Sequence, residues 1–252
     1  MERLDLAHHN LNNMLGLGNS ITGGASLSDW TPEELSSLLH WYKFDTDMST
    51  FYVAGAGNYV ITQWSDQKGT NHLVDTATPE NTSTYNTSHP KQDQSTKELV
   101  FDHGGDQLDF SSALSLGTFS VYIRLESDGS HGDFILEEDS GDFLKIQTAD
   151  EARFKVSGSR HDFALPTSIL DDTKFNIGYE RKSDGVMMVY LNGTAGTQDG
   201  TGDGVHATSN KLDITKIGDP ANTLKMTEMV ICDDALSTAD RALLQTYLSN
   251  IN

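Results

Sequence analysis

At 252 residues, with 36% hydrophobic content, the chain is long enough for one large all-β domain or two small ones, either with a substantial core. Basic residues number 17 against 37 acidic ones, a formal charge of −20. This argues against nucleic-acid binding, where Lys and Arg must neutralise phosphates, and against an anionic membrane surface. A single cysteine, Cys232, excludes a disulfide framework and a cysteine-based zinc site, and no run approaches the ~18 apolar residues of a membrane-spanning helix.

The N-terminus, Met1 to His9, lacks a positive segment followed by an apolar one, so export by a signal of its own is not expected. The sequons at Asn81, Asn86 and Asn192 are accordingly expected to be ordinary loop sequence. Leu4, Ala7, Leu11, Met14 and Leu15 fall on helical spacing, and Gly16 and Gly18 stop the pattern. So short a helix is marginal alone in water. It is expected either to fold back on its own domain or to dock on a neighbouring subunit through those five residues, the Gly-rich stretch 19–26 giving it reach. Thr31-Pro32-Glu33-Glu34 has a capping Thr, Pro at the first position and a capping-box Glu, predicting a helix with Leu35, Leu38 and Leu39 on its apolar side.

From His40 the pattern turns strand-like. Strands are predicted at Tyr59–Trp64, Glu98–Phe101, Gln107–Phe110, Thr118–Leu125, Asp133–Glu137, Phe143–Thr148, Arg153–Ser157, Lys174–Arg181, Val186–Leu191, Leu212–Ile217 and Lys225–Ile231. Turn signals separate them at Ser127-Asp128-Gly129, Ser140-Gly141, Ser183-Asp184-Gly185 and Asn192-Gly193. Residues 75–97, rich in Asn, Thr and Ser, are expected to form a long surface loop. The last strand runs through Met229-Val230-Ile231-Cys232, with Cys232 a small core hydrophobe, into a closing helix. Ser237 is placed as its N-cap and Asp240 as its capping-box partner; Ala239, Leu243, Leu244, Tyr247 and Leu248 form its stripe. The fold class expected is all-β, a two-sheet antiparallel jelly-roll sandwich with short helices at both ends. An arm and helix would occupy 1–38 and the sandwich 39–252.

Four landmarks occur in a telling order: Leu39 to Asp47, an aromatic strand and Asp turn; Trp64-Ser65-Asp66-Gln67-Lys68-Gly69-Thr70-Asn71-His72-Leu73; Phe101-Asp102-His103-Gly104-Gly105-Asp106-Gln107-Leu108; and Val189-Tyr190-Leu191-Asn192-Gly193. Together with Gly117 to Tyr122 and the C-terminal strand and helix, they resemble the concanavalin A-like lectin/glucanase (LamG-type) jelly roll, of the kind found in phage virion structural proteins. The resemblance spans roughly residues 39–250 and departs from the pattern at Lys68 and His103. It implies a lectin-like fold, which by itself does not fix function.

The glucanase branch of that family carries a Glu-x-Asp-x-x-Glu strand, whose retaining chemistry needs two carboxyls about 5–5.5 Å apart. The nearest segment, Glu137 to Asp142, has Asp in the last place and a turn signal at Ser140-Gly141, so its carboxylates are expected on a solvated hairpin and no enzyme is expected. Asp199, Thr201 and Asp203 copy the oxygen spacing of the first half of a calcium loop and are the candidate metal ligands, with Ca²⁺ as the candidate ion; the twelfth position, Asn210, is not the bidentate Glu of that loop. Asp66 and Asp102 are expected to hold loop backbones by side-chain hydrogen bonds. The histidines, among them His8, His9, His72 and His103, show no zinc spacing. Trp41 and Trp64 are expected in the core. The function expected is a non-enzymatic virion structural protein, such as a capsid decoration or tail component, assembled in the host cytoplasm. Its partners would be other virion proteins or copies of itself. The alternative is a carbohydrate-binding module for host-surface polysaccharide, and less favoured still a glycoside hydrolase.

Overall fold

The computed structural model describes residues 30–44, 48–53, 58–76, 89–93, 95–102, 105–127, 134–200, 202, 204–218 and 223–251. Residues from Thr31 onward cluster as one compact unit. The expected arm, with Leu4, Ala7, Leu11, Met14 and Leu15, lies outside the described residues.

Among the described residues, eighteen strands, all paired antiparallel, build two layers. In the first, β18 (Leu224–Cys232) is flanked on one side by β1 (Leu38–Lys43) and β6 (Glu98–Phe101), and on the other by β8 (Phe119–Ser127). The layer continues through β13 (Thr173–Arg181) and β14 (Met187–Leu191) to β15 (Thr194–Ala195). The second layer runs β2 (Met48–Val53), β3 (Asn58–Trp64), β4 (Leu73–Val74), β7 (Gln107–Leu116), β17 (Leu212–Gly218), β9 (Phe134–Asp139) and β10 (Asp142–Thr148), then β11 (Glu151–Val156), β12 (Ser159–Ala164) and β16 (Thr197–Gln198). β5 (Lys91–Asp93) pairs with both β3 and β6 and so links the layers.

Period-two alternation supplies the core: Ala152, Phe154 and Val156 of β11 join it with Phe175, Ile177 and Tyr179 of β13, and Phe154 meets Tyr179 edge-on at 5.1 Å. β8 and β18 break this alternation, being buried on both faces. The reason is the helix α1 (Thr238–Ser249), which lays Leu244 and Leu248 over their outer face and makes a smaller apolar layer with Trp41, Tyr122, Val230 and Cys232. Burial pushes the Cys232 thiol up to about 12, as suits a core hydrophobe. In this layer Gly178 stands opposite Tyr122, whose ring would lie 2.2 Å from an added Cβ; only glycine leaves room for it.

The expected C-terminal helix start is present, with the Asp240 amide donating to Ser237 Oγ at 3.1 Å. The expected turns at Ser140-Gly141 and Asn192-Gly193 close β9–β10 and β14–β15, Asn192 and Gly193 both lying at positive φ (49° and 81°) as a hairpin of this kind requires. The helix expected at 31–39 is corrected. Pro32–Glu34 is a single 3-10 turn with no side-chain cap from Thr31, and Leu38 and Leu39 belong to β1. Pairing with β18 gives these residues a sheet ladder, which overrides local helix propensity. Likewise 75–97 is not loop throughout, because Lys91–Asp93 is strand β5.

Candidate functional site

The family-like landmarks turn out to staple corners of the sandwich. Asp66 Oδ1 accepts from the amides of Trp41 (3.1 Å) and Lys68 (3.0 Å), and its Oδ2 lies 2.8 Å from His40 Nδ1. His72 Nδ1 accepts from the Asp66 amide, and the Asn71 side chain bonds the Ser112 backbone in both directions. In the next landmark the loop-holding role belongs to buried Asp106, which accepts from the Asp102 amide at 2.9 Å; the Asp102 carboxylate pairs with Lys91. Trp64 is fully buried and Trp41 nearly so.

The hydrolase segment is corrected too. Glu137 is not on a solvated turn; it is buried on β9 and ion-paired to Lys216 at 2.8 Å. Of the calcium-loop residues, Thr201 and Asp203 lie outside the described residues. Asp199 is brought to Glu151 and Asp162, with one oxygen from each within 4.8 Å of the others. Nothing in the spacing of the sequence pointed to Glu151 or Asp162; β11–β12 pairing and the contact of β12 with β16 deliver them. Asp162 is already answered by cations: Arg153 Nε donates at 2.5 Å and Arg160 Nε at 2.6 Å. Burial raises the Asp162 pKa, but these bonds outweigh it and hold the carboxyl below its usual range. Glu151 is raised, by burial and then by the Asp162 charge. Both guanidiniums thus contact Asp162, and Arg153 Nη2 also reaches Glu151 at 3.3 Å.

Two other glutamates sit under α1. Glu180 is fully buried, taking Arg241 Nε at 2.9 Å, Arg241 Nη2 at 2.8 Å and the Tyr122 hydroxyl at 2.7 Å; the Arg241 guanidinium also lies 4.3 Å from the Tyr190 ring centre. Glu228, at the other end of the layer, has only neutral donors in contact among the described residues. Trp41 Nε1 donates at 2.5 Å, and the Tyr247 hydroxyl hydrogen-bonds the same carboxylate. Burial pushes Glu228 up to about 7, against the pull of those two bonds and of the Lys43 charge. Tyr247 is itself raised, by burial and then by Glu228.

Glu228 floors a cleft of about 270 Å³ lined by Lys43, Phe44, Lys97, Thr227, Tyr247 and Ile251. The cleft offers the Tyr247 ring, which meets buried Trp41 edge to face at 6.4 Å, together with two exposed lysines and the Glu228 carboxyl. A perturbed acid in a concave site with convergent polar groups is the physical profile of a ligand site. Two larger hollows fit that profile less well. One of about 400 Å³ beside Ile169 and Leu170 has its Lys174 paired with Glu98. The other, of about 390 Å³ between β15 and α1, has no aromatic wall, and its Arg241 is spent on Glu180. Individual residues of the chosen cleft were visible in the sequence, but no spacing joined them: Trp41 and Glu228 are 187 positions apart.

No protein-family description matches the sequence, and no curated protein matches it. Solved structures do match in fold. Trypanosoma rangeli sialidase superposes with a TM-score of 0.54 at 13% identity, over 86% of this chain and 34% of that one. The botulinum neurotoxin serotype D ligand-binding domain, solved in complex with N-acetylneuraminic acid, gives 0.54 at 13% identity over 84% of this chain and 51% of its own. Another structure of the serotype D binding domain gives 0.54 at 12% identity, over 84% and 52%. The chain spans about a third of the sialidase and about half of the toxin domains. At such identities the likeness is one of fold: a β-rich, lectin-like sandwich, in keeping with the concanavalin A-like architecture expected from the landmarks.

Proposed function

We propose that this chain is a non-enzymatic, lectin-like module that binds a glycan in the cleft between β1, β18 and the end of α1. The observation that carries this reading is the convergence on one cleft of an aromatic face, Tyr247 with Phe44 beside it, and hydrogen-bonding groups from Lys43, Lys97 and Thr227. Sugar rings present an apolar C–H face and a rim of hydroxyls, and a site with one aromatic wall and several polar groups answers both. The cleft is slightly smaller than the ~300–1,000 Å³ of drug-sized pockets, which suits a single terminal residue of a glycan. Support also comes from the fold shared with a toxin domain solved with a sugar acid bound.

The absence of enzymatic activity is part of the proposal. Of the carboxylates in the glucanase-like segment, Glu137 is committed to Lys216 and Asp142 accepts from the Ser157 amide at 2.8 Å. A glycan panel, run with and without Ca²⁺, tests the binding reading. Capture of a defined glycan, lost on Tyr247→Ala with the fold intact by circular dichroism, supports it; silence on every sugar overturns it. Cleavage of any polysaccharide overturns the non-enzymatic part.

The setting we propose is the surface of a virus particle, with the N-terminal segment as anchor. A charge of −20 suits a displayed surface that must not self-associate. Deleting residues 1–28 and measuring incorporation into purified particles tests this: loss of incorporation is expected, and unchanged incorporation would sink the anchoring role.

A further inference from the structure

Resting on the glycan reading of the same cleft, we infer that its ligand is an acidic sugar, one whose ring carries a carboxylate, gripped by Lys43 and Lys97. The argument begins with charge. In a chain where acidic residues outnumber basic ones 37 to 17, cations are scarce and most buried or half-buried ones are answered. Lys91, Lys174, Lys216 and Lys225 each pair with a carboxylate, as do Arg153, Arg160 and Arg241. Lys43 and Lys97, both exposed, make no ion pair among the described residues, and neither do the exposed Lys68, Lys182 and Lys211; what sets the first two apart is the cleft they share. They come from elements far apart in sequence, the end of β1 and the turn between β5 and β6, yet line the same hollow.

Lys43 is also placed rather than trailing, and the backbone that carries Lys97 is held in a defined turn. The Lys43 ammonium lies 5.7 Å from the centre of the Trp41 ring, beside the cleft floor. Lys97 sits at φ +57°, in a turn where Asp93 Oδ1 accepts from the amides of Ser95 (2.8 Å) and Thr96 (3.1 Å). Two lysines that line a cleft with an aromatic wall match a ligand that is anionic at one point and apolar on one ring face. A neutral sugar would use the wall and leave both charges unanswered.

Glu228 then acts as a modulator of that grip. The charged and titratable groups facing it are Lys43 from β1, Arg124 opposite it on β8, Lys97 from the β5–β6 turn and Tyr247 from α1. Arg124 Nη1 is turned to Asn176 Oδ1 at 3.2 Å, which leaves Lys43 and Lys97 as the cations of the cleft. When Glu228 is ionised it cancels one of the two lysine charges; when protonated it leaves both for the ligand. Its titration near pH 7 therefore predicts tighter binding of an anionic ligand on acidification, over a range where a sugar carboxylate stays ionised.

The test is calorimetric titration of the full chain with glucuronic acid, N-acetylneuraminic acid and glucose, at pH 5.5 and pH 8. Either acid is expected to bind about tenfold or more tighter than glucose, and several-fold tighter at pH 5.5 than at pH 8. Comparing the two acids separates a uronate ligand from a nine-carbon sugar acid. Lys43→Met and Lys97→Met are each expected to lower acid-sugar affinity about tenfold while leaving glucose unchanged, with Lys182→Met as a control outside the cleft. Glu228→Gln is expected to flatten the pH dependence. Equal affinity for acidic and neutral sugars, or lysine variants without effect, overturns this inference and leaves the glycan reading standing. Failure of all three sugars to bind, with a silent glycan panel, overturns both.

Discussion

Glu180 and Glu228 leave the same sheet face under the same helix, yet the fold treats them differently. At the Glu180 end the carboxylate receives a guanidinium through two hydrogen bonds and a phenol besides, and the guanidinium is backed by the Tyr190 ring. At the Glu228 end the carboxylate receives an indole N–H and a phenol, with its nearest cations at the mouth of a cleft rather than in contact. A buried ion pair with satisfied lone pairs holds elements together. A buried acid without its cation is poised to change charge near neutrality. One end of α1 is therefore fastened to the sheet, and the other is left chemically responsive.

The comparison is open to breaking. The largest effect is expected for Arg241→Ala, which strands the fully buried Glu180 charge: a loss of about 3–5 kcal/mol in denaturant unfolding, of which much returns when Glu180→Gln is added. A loss below about 1 kcal/mol would mean that the Glu180 end is not the fastened one. Next comes Glu228→Gln. The native state holds Glu228 at about 7 against an ordinary 4.5, so between those values it retains a proton that the unfolded chain has released. The contribution of Glu228 to stability is thus fullest below about pH 4.5 and falls as pH rises toward 7, by about 3 kcal/mol in all. The Gln variant, which has no charge to bury, is expected to gain up to that amount at pH 8 and almost nothing at pH 4, as read from paired thermal melts. Equal shifts at both pH values would contradict the assignment.

Tyr247→Phe sharpens the same end. It removes one of two donors to the Glu228 carboxylate, so the midpoint of the pH-dependent stability change should move upward from about 7, a shift that a purely structural ring would not cause. Smallest is Ser237→Ala, which deletes the acceptor for the Asp240 amide and the hydroxyl that donates to the Asp240 carboxylate, and is expected to cost about 1 kcal/mol. A change there in the midpoint near pH 7 would tie the helix start to the responsive end and blur the distinction.

Much of the fold was legible in advance because its signals are local. Strands such as Glu98–Phe101 and Lys174–Arg181 announce themselves by apolar and β-branched runs, hairpins by Ser140-Gly141 and Asn192-Gly193, and α1 by the Ser237 cap. The elements missed are those whose sequences are locally misleading. Ser159–Ala164, with Arg160, His161 and Asp162 at its centre, is a strand because β11 gives it a ladder, and Lys91–Asp93 because β3 and β6 bracket it. The Thr31-Pro32-Glu33-Glu34 start is a good helix signal that loses to the pairing of Leu38 with Cys232.

The candidate site was hardly legible at all. Trp41 was expected in the core, and indeed it is buried, but its indole N–H points at an acid 187 positions away. Neither Lys43 nor Lys97 stands out in a chain with 17 basic residues, and Glu228 sits in a strand whose neighbours are Thr227 and Met229. What the amino-acid order determines by itself is which segments alternate, where the chain turns and where its last helix begins, since those depend on forces acting over a few residues. Which acid is given a guanidinium, which is left with neutral donors, and which lysines share a cleft were decided by sheet register and by the seating of α1. Those choices depend on partners that only the folded chain brings within hydrogen-bonding distance.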